Sequence, residues 1–398
     1  MLTSEFAPVR GGIGTYAREI AAAASDLGAE VTLVAPGYGN DNAYEDRLLP
    51  FEVRRFAGGL HSMRDLPAKI RLARHFIGES RYDVVHAADW PFFIPVALSR
   101  RLTTARLLMS VHGTEINETQ TALKRLAIRL TGVFGPRSEI AANSHYTAEL
   151  FRERFAVDDE NIHAIPLGVS DFWFGARKDR AETRAAHALA PDGIVIVTVA
   201  RITRRKGHPA VLAALGMLPK AMRQRVTWLV IGPDGEAEHV RELKQLAASS
   251  DCDVRFLGQM DDGAIRDLYG AADLFCLTGM HDPSGRVEGF GLVYLEAGAT
   301  GLPSVATAIG GVSDAVIHGR TGMLAPPSVP DIARAIARLA EQPELRSTLG
   351  EGAIAHARML SWRRCAAETY GLSWPAAPAA TAKTRHEDVP VFQPASSP

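Results

Sequence analysis

Short apolar, β-branched runs recur along the chain, each separated from the next by a stretch whose apolar positions return every three or four residues. In order they are "AEVTLVAP", "YDVVHAA", "ARLLMSVHG", "SEIAANS", "GIVIVTVAR", "RVTWLVIGP", "DVRFLGQ", "ADLFCLT" and "LPSVATAIGG". Continuous apolar runs of this kind fit strands buried on both faces, as in a parallel sheet covered by helices. Alternation of strand and helix makes the chain doubly wound α/β, and the pattern runs twice. Between the two sets, "IHAIPLGVSDFW" carries Pro166 and Gly168, the punctuation of an interdomain linker. A boundary within 166–172 gives Rossmann-like domains over 1–167 and 168–355. "SWRRCAAETYGL" predicts a helix within 356–374, and the Pro-, Ala- and Ser-rich stretch 375–398 predicts a disordered tail. At the start, "MLTSEF" leaves room for only a short first strand before a glycine loop.

Composition narrows the classes. The 398 residues exceed one ordinary domain, and 46% hydrophobic content with a formal net charge of −1 suggests neither nucleic acid nor disorder. Cys252, Cys276 and Cys365 have no CxxC spacing, which argues against a disulfide framework or zinc site and fits a reducing cytoplasm. No run approaches the roughly 20 apolar residues of a membrane span. From Arg64 to Arg137, however, twelve Lys or Arg face six Asp or Glu, and "KRLAIRLTGVFGPR" reads as a basic amphipathic stretch. That is either a solvated helix face or a place for anionic lipid.

Candidate chemistry gathers at strand ends. "RGGIGTYAREIAAAASDLG" places Gly11, Gly12 and Gly14 between the first strand and an amphipathic helix, where bare N–H groups and a helix N-terminus can meet an anion. A tight turn without a ligand would use the same residues. The full GxGxxG is missing and no acid follows a second strand, which argues against an NAD-linked dehydrogenase. "VARITRRKGHP" puts Arg201 and Lys206 just beyond a strand's carboxyl end, well placed for a pyrophosphate, with Arg204 and Arg205 read as solvated. In "GRVEGFGLVYLEAGATG", a continuous helix would set Glu288 and Glu296 roughly 80° apart. Glu288 is therefore placed in a loop, and Glu296 a turn or more into a helix begun near Leu292. Carboxylates accept hydrogen bonds from vicinal hydroxyls, and bare N–H groups around Phe290 and Gly291 can approach a sugar closely. His112, beside Gly113 at another strand's carboxyl end, stands at the mouth of the crevice. His86 and Asp89 in "VVHAADW" hold the equivalent end of the preceding strand and are candidates to face an acceptor. Asn143 and Ser144 read as a helix cap. "DCD", 251–253, precedes a strand rather than following one, so it reads as a solvated turn, and no metal site is expected.

Taken together, "GGIG", "VHG", "AR" with "KG", "GPDGE", and "EGFGLVYLEA" followed by "GG" resemble the signatures of family 4 of the retaining nucleotide-sugar glycosyltransferases. The match runs in order to about Tyr370. The resemblance implies the GT-B fold, two Rossmann-like domains facing across a cleft, with the last helix crossing back to the first. It implies that Gly12, Gly14, Arg201 and Lys206 meet the donor diphosphate, and that Glu296 holds the ribose. Glu288 and the main chain of Phe290, Gly291 and Leu292 would hold the transferred sugar, contacted by His112. Gly232 of "GPDGE" belongs to the same donor site, and the loop Leu257 to Met260, with Gly258, would present backbone to the base. His112, Arg201, Lys206 and Glu288 form the catalytic set. Members work without metal or other cofactor, by front-face transfer. Departures are Asp314, where the family usually has glutamate, and Ala88 in place of a second histidine seen in some glycogen-synthase-like relatives.

The expected partners are thus a nucleotide-diphosphate sugar and a hydroxyl acceptor, free or lipid-linked, at a cytoplasmic site or the inner membrane face. A GT-B sugar-nucleotide epimerase would need acids and histidines for C2 chemistry that are not evident. A non-catalytic sugar-nucleotide binder could lose His112 or Glu288, and both are present.

Overall fold

Buried β-branched runs pair in parallel throughout, and helices cover both sheet faces. The computed structural model of the chain describes residues 1–373 apart from 10, 40–41, 59–62, 118–121, 156 and 281–284. The tail expected over 375–398 lies outside the described residues.

The first sheet contains β1 (Thr32–Pro36), β2 (Glu52–Phe56), β3 (Val84–Ala87), β4 (Arg106–Val111), β5 (Ser138–Ala142) and β6 (Ile162–Ala164). β2 pairs with β1, and β3 to β6 follow one another. The short first strand joins the two parts, because Leu2 bridges both Val34 on β1 and Ala87 on β3. The second sheet holds β7 (Ile194–Val199), β8 (Val226–Ile231), β9 (Asp253–Gly258), β10 (Leu274–Leu277), β11 (Ser304–Thr307) and β12 (Gly322–Ala325). Its order is β12-β11-β10-β7-β8-β9, so the winding reverses between β7 and β10. Such a switch point opens a crevice beyond the strands' carboxyl ends. β2, β6 and β12 are absent from the expected strands, and β6 falls inside the segment read as linker.

Two chain segments cross between the sheets side by side. Val169 donates its N–H to the Leu360 carbonyl at 2.8 Å and bridges Ser361. A Cβ on Gly168 would sit 2.3 Å from the Trp362 nitrogen, so only glycine permits this approach. Ser361 then caps the helix Trp362–Tyr370, accepting from Arg364 N, and Gly371, at φ 70°, ends it. This last helix packs on the first domain. Trp362 meets Tyr16 of the helix Gly12–Asp26 with ring centroids 6.0 Å apart, and Arg106 donates to the Tyr370 carbonyl.

In the first domain, the helix Ala122–Thr131 leaves Leu126 and Leu130 exposed beside exposed Arg125 and Arg129. No helix among the described residues is long and apolar enough to cross a membrane.

Candidate active site

The glycine loop forms one wall of the cleft. Gly12 opens the helix and faces open space, whereas Gly14 is buried and its N–H donates to the Glu5 carboxylate at 3.2 Å. His112 follows β4. Its Nε2 lies 2.8 Å from the Ala88 carbonyl, which can only accept, so Nε2 carries the proton. The imidazole also meets Tyr16 edge-on, with centroids 4.6 Å apart, which fixes its plane.

The opposite wall is built from loops after β7 and β10. The turn Arg204–Lys206 ends at Gly207, whose φ of 70° and contact with the Thr278 carbonyl leave no room for a side chain. Lys206 donates to the Glu288 carboxylate, and Arg205 Nη1 lies 3.6 Å from the same oxygen. Burial pushes the Glu288 carboxyl up, but the Lys206 and Arg205 charges and the Lys206 hydrogen bond outweigh it and hold the group below its ordinary value. Arg205, read as solvated, is thus part of the charge cluster; Arg204 is exposed and pairs with Glu242 at 3.0 Å. Arg201 is exposed, its stem running over the bare backbone of Gly235.

Glu288 lies in a loop and Glu296 one turn into the helix Leu292–Ala299. Gly291, at φ 91°, starts that helix, and Phe290 is buried against the core. Gly289 presses on the first domain, since an added Cβ would lie 2.0 Å from the His112 carbonyl oxygen. That contact brings His112 and Glu288 to adjoining positions. Gly232 and Gly258 join backbone to backbone, N–H to carbonyl at 2.8 Å, while Met260 packs half-buried beside the core.

A cavity of about 700 Å³ separates the domains, with Gly11, Gly14 and Glu19 on one side and Asp262, Leu292 and Glu296 on the other. Burial, then the Asp262 and Glu19 carboxylates, push the Glu296 carboxyl up to about 8. Glu19 is itself raised by burial, against the opposing pull of Arg18. Sequence reading missed Glu5, Glu19 and Asp262. Among the described residues, no group of three or more His, Cys, Asp or Glu could hold a metal ion.

The pair expected to face an acceptor is engaged internally instead. His86, 2% exposed, is held between the Tyr370 hydroxyl at 2.8 Å and the Ser110 hydroxyl at 2.7 Å. Asp89, 1% exposed, accepts from the Ser4 N–H and hydroxyl. Ser144 caps the helix His145–Arg154 as expected, while Asn143 reaches the His112 carbonyl at 3.2 Å. The aspartates of "DCD" pair with arginines, Asp251 with Arg223 and Asp253 with Arg255.

Two parallel α/β domains facing across a charged cleft have the architecture of the GT-B glycosyltransferases. The chain belongs to Glycosyltransferase Family 4 and the glycosyl transferases group 1, whose models match residues 10–171 and 179–356. It is 32% identical over 385 residues, 89% of each chain, to a D-inositol 3-phosphate glycosyltransferase of Actinosynnema mirum. It is 28% identical to a GDP-mannose-dependent α-(1-6)-phosphatidylinositol monomannoside mannosyltransferase of Mycolicibacterium smegmatis, covering 88% of this chain and 91% of the relative. Among solved structures, Anabaena HepE in complex with UDP and glucose superposes with TM-score 0.73 at 23% identity, covering 93% of this chain and 98% of that one. Sucrose-phosphate synthase from Thermosynechococcus elongatus gives 0.76 at 23% identity, covering 93% and 96%.

Proposed function

We propose that the chain is a retaining hexosyltransferase using a nucleotide-diphosphate sugar, either GDP-mannose or UDP-glucose or UDP-N-acetylglucosamine. The acceptor is a hydroxyl of a glycolipid, a polysaccharide precursor or a small molecule. The observation that carries this reading is the pairing of Glu288 with Lys206 and Arg205 in the loops after β7 and β10, together with the buried carboxyl of Glu296, raised by Asp262 and Glu19, on the interdomain cavity. Its N-terminal wall is a bare-backbone glycine loop.

In this reading Glu296 holds the ribose hydroxyls, and Gly12, Gly14, Arg201 and Lys206 hold the diphosphate. Glu288 and the backbone from Phe290 to Leu292 grip the hexose, with His112 above it. Gly232, Gly258 and Met260 belong to the loops beside the base. The bond from the anomeric carbon to the β-phosphate oxygen breaks heterolytically, and the acceptor oxygen attacks from the same face. The departing phosphate oxygen takes the acceptor proton, so configuration is kept without an enzyme nucleophile or a metal. Charge then grows on the β-phosphate, where Arg201 and Lys206 stabilise it; losing one such preorganised donor typically costs about 10²–10³ in kcat. The relatives' names favour acceptors built on inositol phosphates.

The deciding experiment is thermal stabilisation by UDP, GDP, ADP and their sugar conjugates, with and without magnesium. A ligand at a hundred times its Kd stabilises by about 2.7 kcal/mol. We expect one nucleotide to raise Tm without metal and Glu296→Ala to abolish the rise; no response to any nucleotide would remove the donor-site reading. For a lipid-linked acceptor, Leu126 and Leu130 with Arg125 and Arg129 supply an apolar and cationic contact for an anionic bilayer. Pelleting with vesicles of anionic but not zwitterionic lipid is expected, and equal recovery in the supernatant with both would rule the contact out.

A further inference from the structure

The glycine loop's anion position is taken by the chain's own carboxylate. Glu5 Oε1 accepts from the buried Gly14 N–H at 3.2 Å, within the first turn of the helix Gly12–Asp26. The fit depends on Gly11, because a Cβ there would lie 1.9 Å from the same oxygen. Gly11 has φ −169°, extended backbone that any residue adopts, so its lack of a side chain serves space rather than conformation. Gly11 and Gly14 also line the 700 Å³ interdomain cavity, with Glu296 on its far side. An anion that takes the Gly14 N–H from that cavity has to displace the Glu5 oxygen already bound to it.

The Glu5 backbone is pinned while its side chain is not built into the core. Thr3 donates its hydroxyl to the Glu5 carbonyl at 3.0 Å, Ser4 is fastened to Asp89, and the Phe6 N–H donates to the Tyr38 hydroxyl at 3.3 Å. Glu5 itself is only half-buried. Side-chain torsions can therefore swing the carboxylate away with no change in the backbone that carries it.

We propose that Glu5 is a displaceable internal anion, a determinant of donor affinity that occupies the Gly14 N–H until a nucleoside diphosphate takes its place. This rests on the donor-site reading above. Two anions at one helix N-terminus repel and cannot share one N–H, so diphosphate binding requires the Glu5 carboxylate to leave. Mononucleosides, which have no group for that position, are indifferent to Glu5.

The test measures Kd for UDP and GDP, and for uridine and guanosine, by titration calorimetry on wild type, Glu5→Gln and Glu5→Ala. Glutamine keeps an oxygen for the Gly14 N–H and removes the charge. Both variants are expected to bind the preferred diphosphate more tightly, on the order of threefold to thirtyfold, with nucleoside affinity unchanged. A purely structural cap predicts a lower Tm with diphosphate affinity equal to or weaker than wild type, and that result would overturn the proposal. If wild type binds a diphosphate and Glu5→Gln does not bind it better, Glu5 falls and the donor site stands. If neither protein binds any diphosphate, the donor site falls and Glu5 with it.

Discussion

Glu296 carries the most unusual acid–base behaviour in the cleft. Burial raises its carboxyl from 4.5 to about 8, helped by Asp262 and Glu19. Between those values the native chain binds more protons than the unfolded one, so this group's contribution is present below about 4.5 and is lost as pH rises through 8. A ribose donating two hydroxyls favours the ionised form and drives the proton off. Nucleotide binding at pH 7 is therefore expected to release protons, seen as a calorimetric enthalpy that differs between buffers of unlike ionisation enthalpy. In Glu296→Gln the buffer dependence should vanish along with most of the affinity; a wild-type enthalpy independent of buffer would sink the ribose assignment. Glu288 and Glu296 were legible in the sequence because flanking glycines mark a loop that must come close to something. Glu19 and Asp262 were not, since an acid near a helix start or on a helix flank looks like any solvated residue. Asp262 reaches Glu296 through the folding of the second domain, and only the meeting of the two domains places Glu19 beside it.

At the level of elements, the strands that escaped sequence reading share a position. β2, β6 and β12 are edges of their sheets, while all but one of those read correctly lie inside. An interior parallel strand needs apolar side chains on both faces, and that requirement writes a continuous run. An edge strand has a neighbour on one side only, so "EVRRF" can carry two arginines in β2 and three residues suffice for β6. β9, the remaining edge, was legible because "DVRFLG" keeps enough apolar character. The site loops show the complementary rule. Gly289 and Gly311 were readable as glycines, but their partners were not. Gly289 is pressed by the His112 carbonyl, and a Cβ on Gly311 would lie 1.9 Å from the Gly289 carbonyl oxygen. Their spacing along the chain encodes a stack of backbones that is visible only once the two domains are in contact.

For the molecule as a whole, the domains are tied by two parallel crossings and by side-chain and backbone contacts between the domains. Asp314, standing where the family usually has glutamate, accepts from the His145 N–H at 2.7 Å and pairs with the His145 ring at 3.1 Å. It thereby caps the helix His145–Arg154 of one domain from a short helix of the other. Its carbonyl is held separately by His356 Nε2 at 2.9 Å, so the side chain can be changed without releasing its own turn. Two-domain proteins joined at one edge open and close as rigid bodies unless contacts opposite the hinge hold them. Removing a side-chain cap costs about 1 kcal/mol, which multiplies the open-to-closed ratio roughly fivefold. Asp314→Ala is accordingly expected to enlarge the radius of gyration of the ligand-free protein in small-angle scattering, with saturating nucleotide restoring the wild-type value. Asp314→Glu should fall between the two if reach sets the contact. Scattering from Asp314→Ala identical to wild type in both states would show that closure rests on the hinge and the Gly289 contact alone.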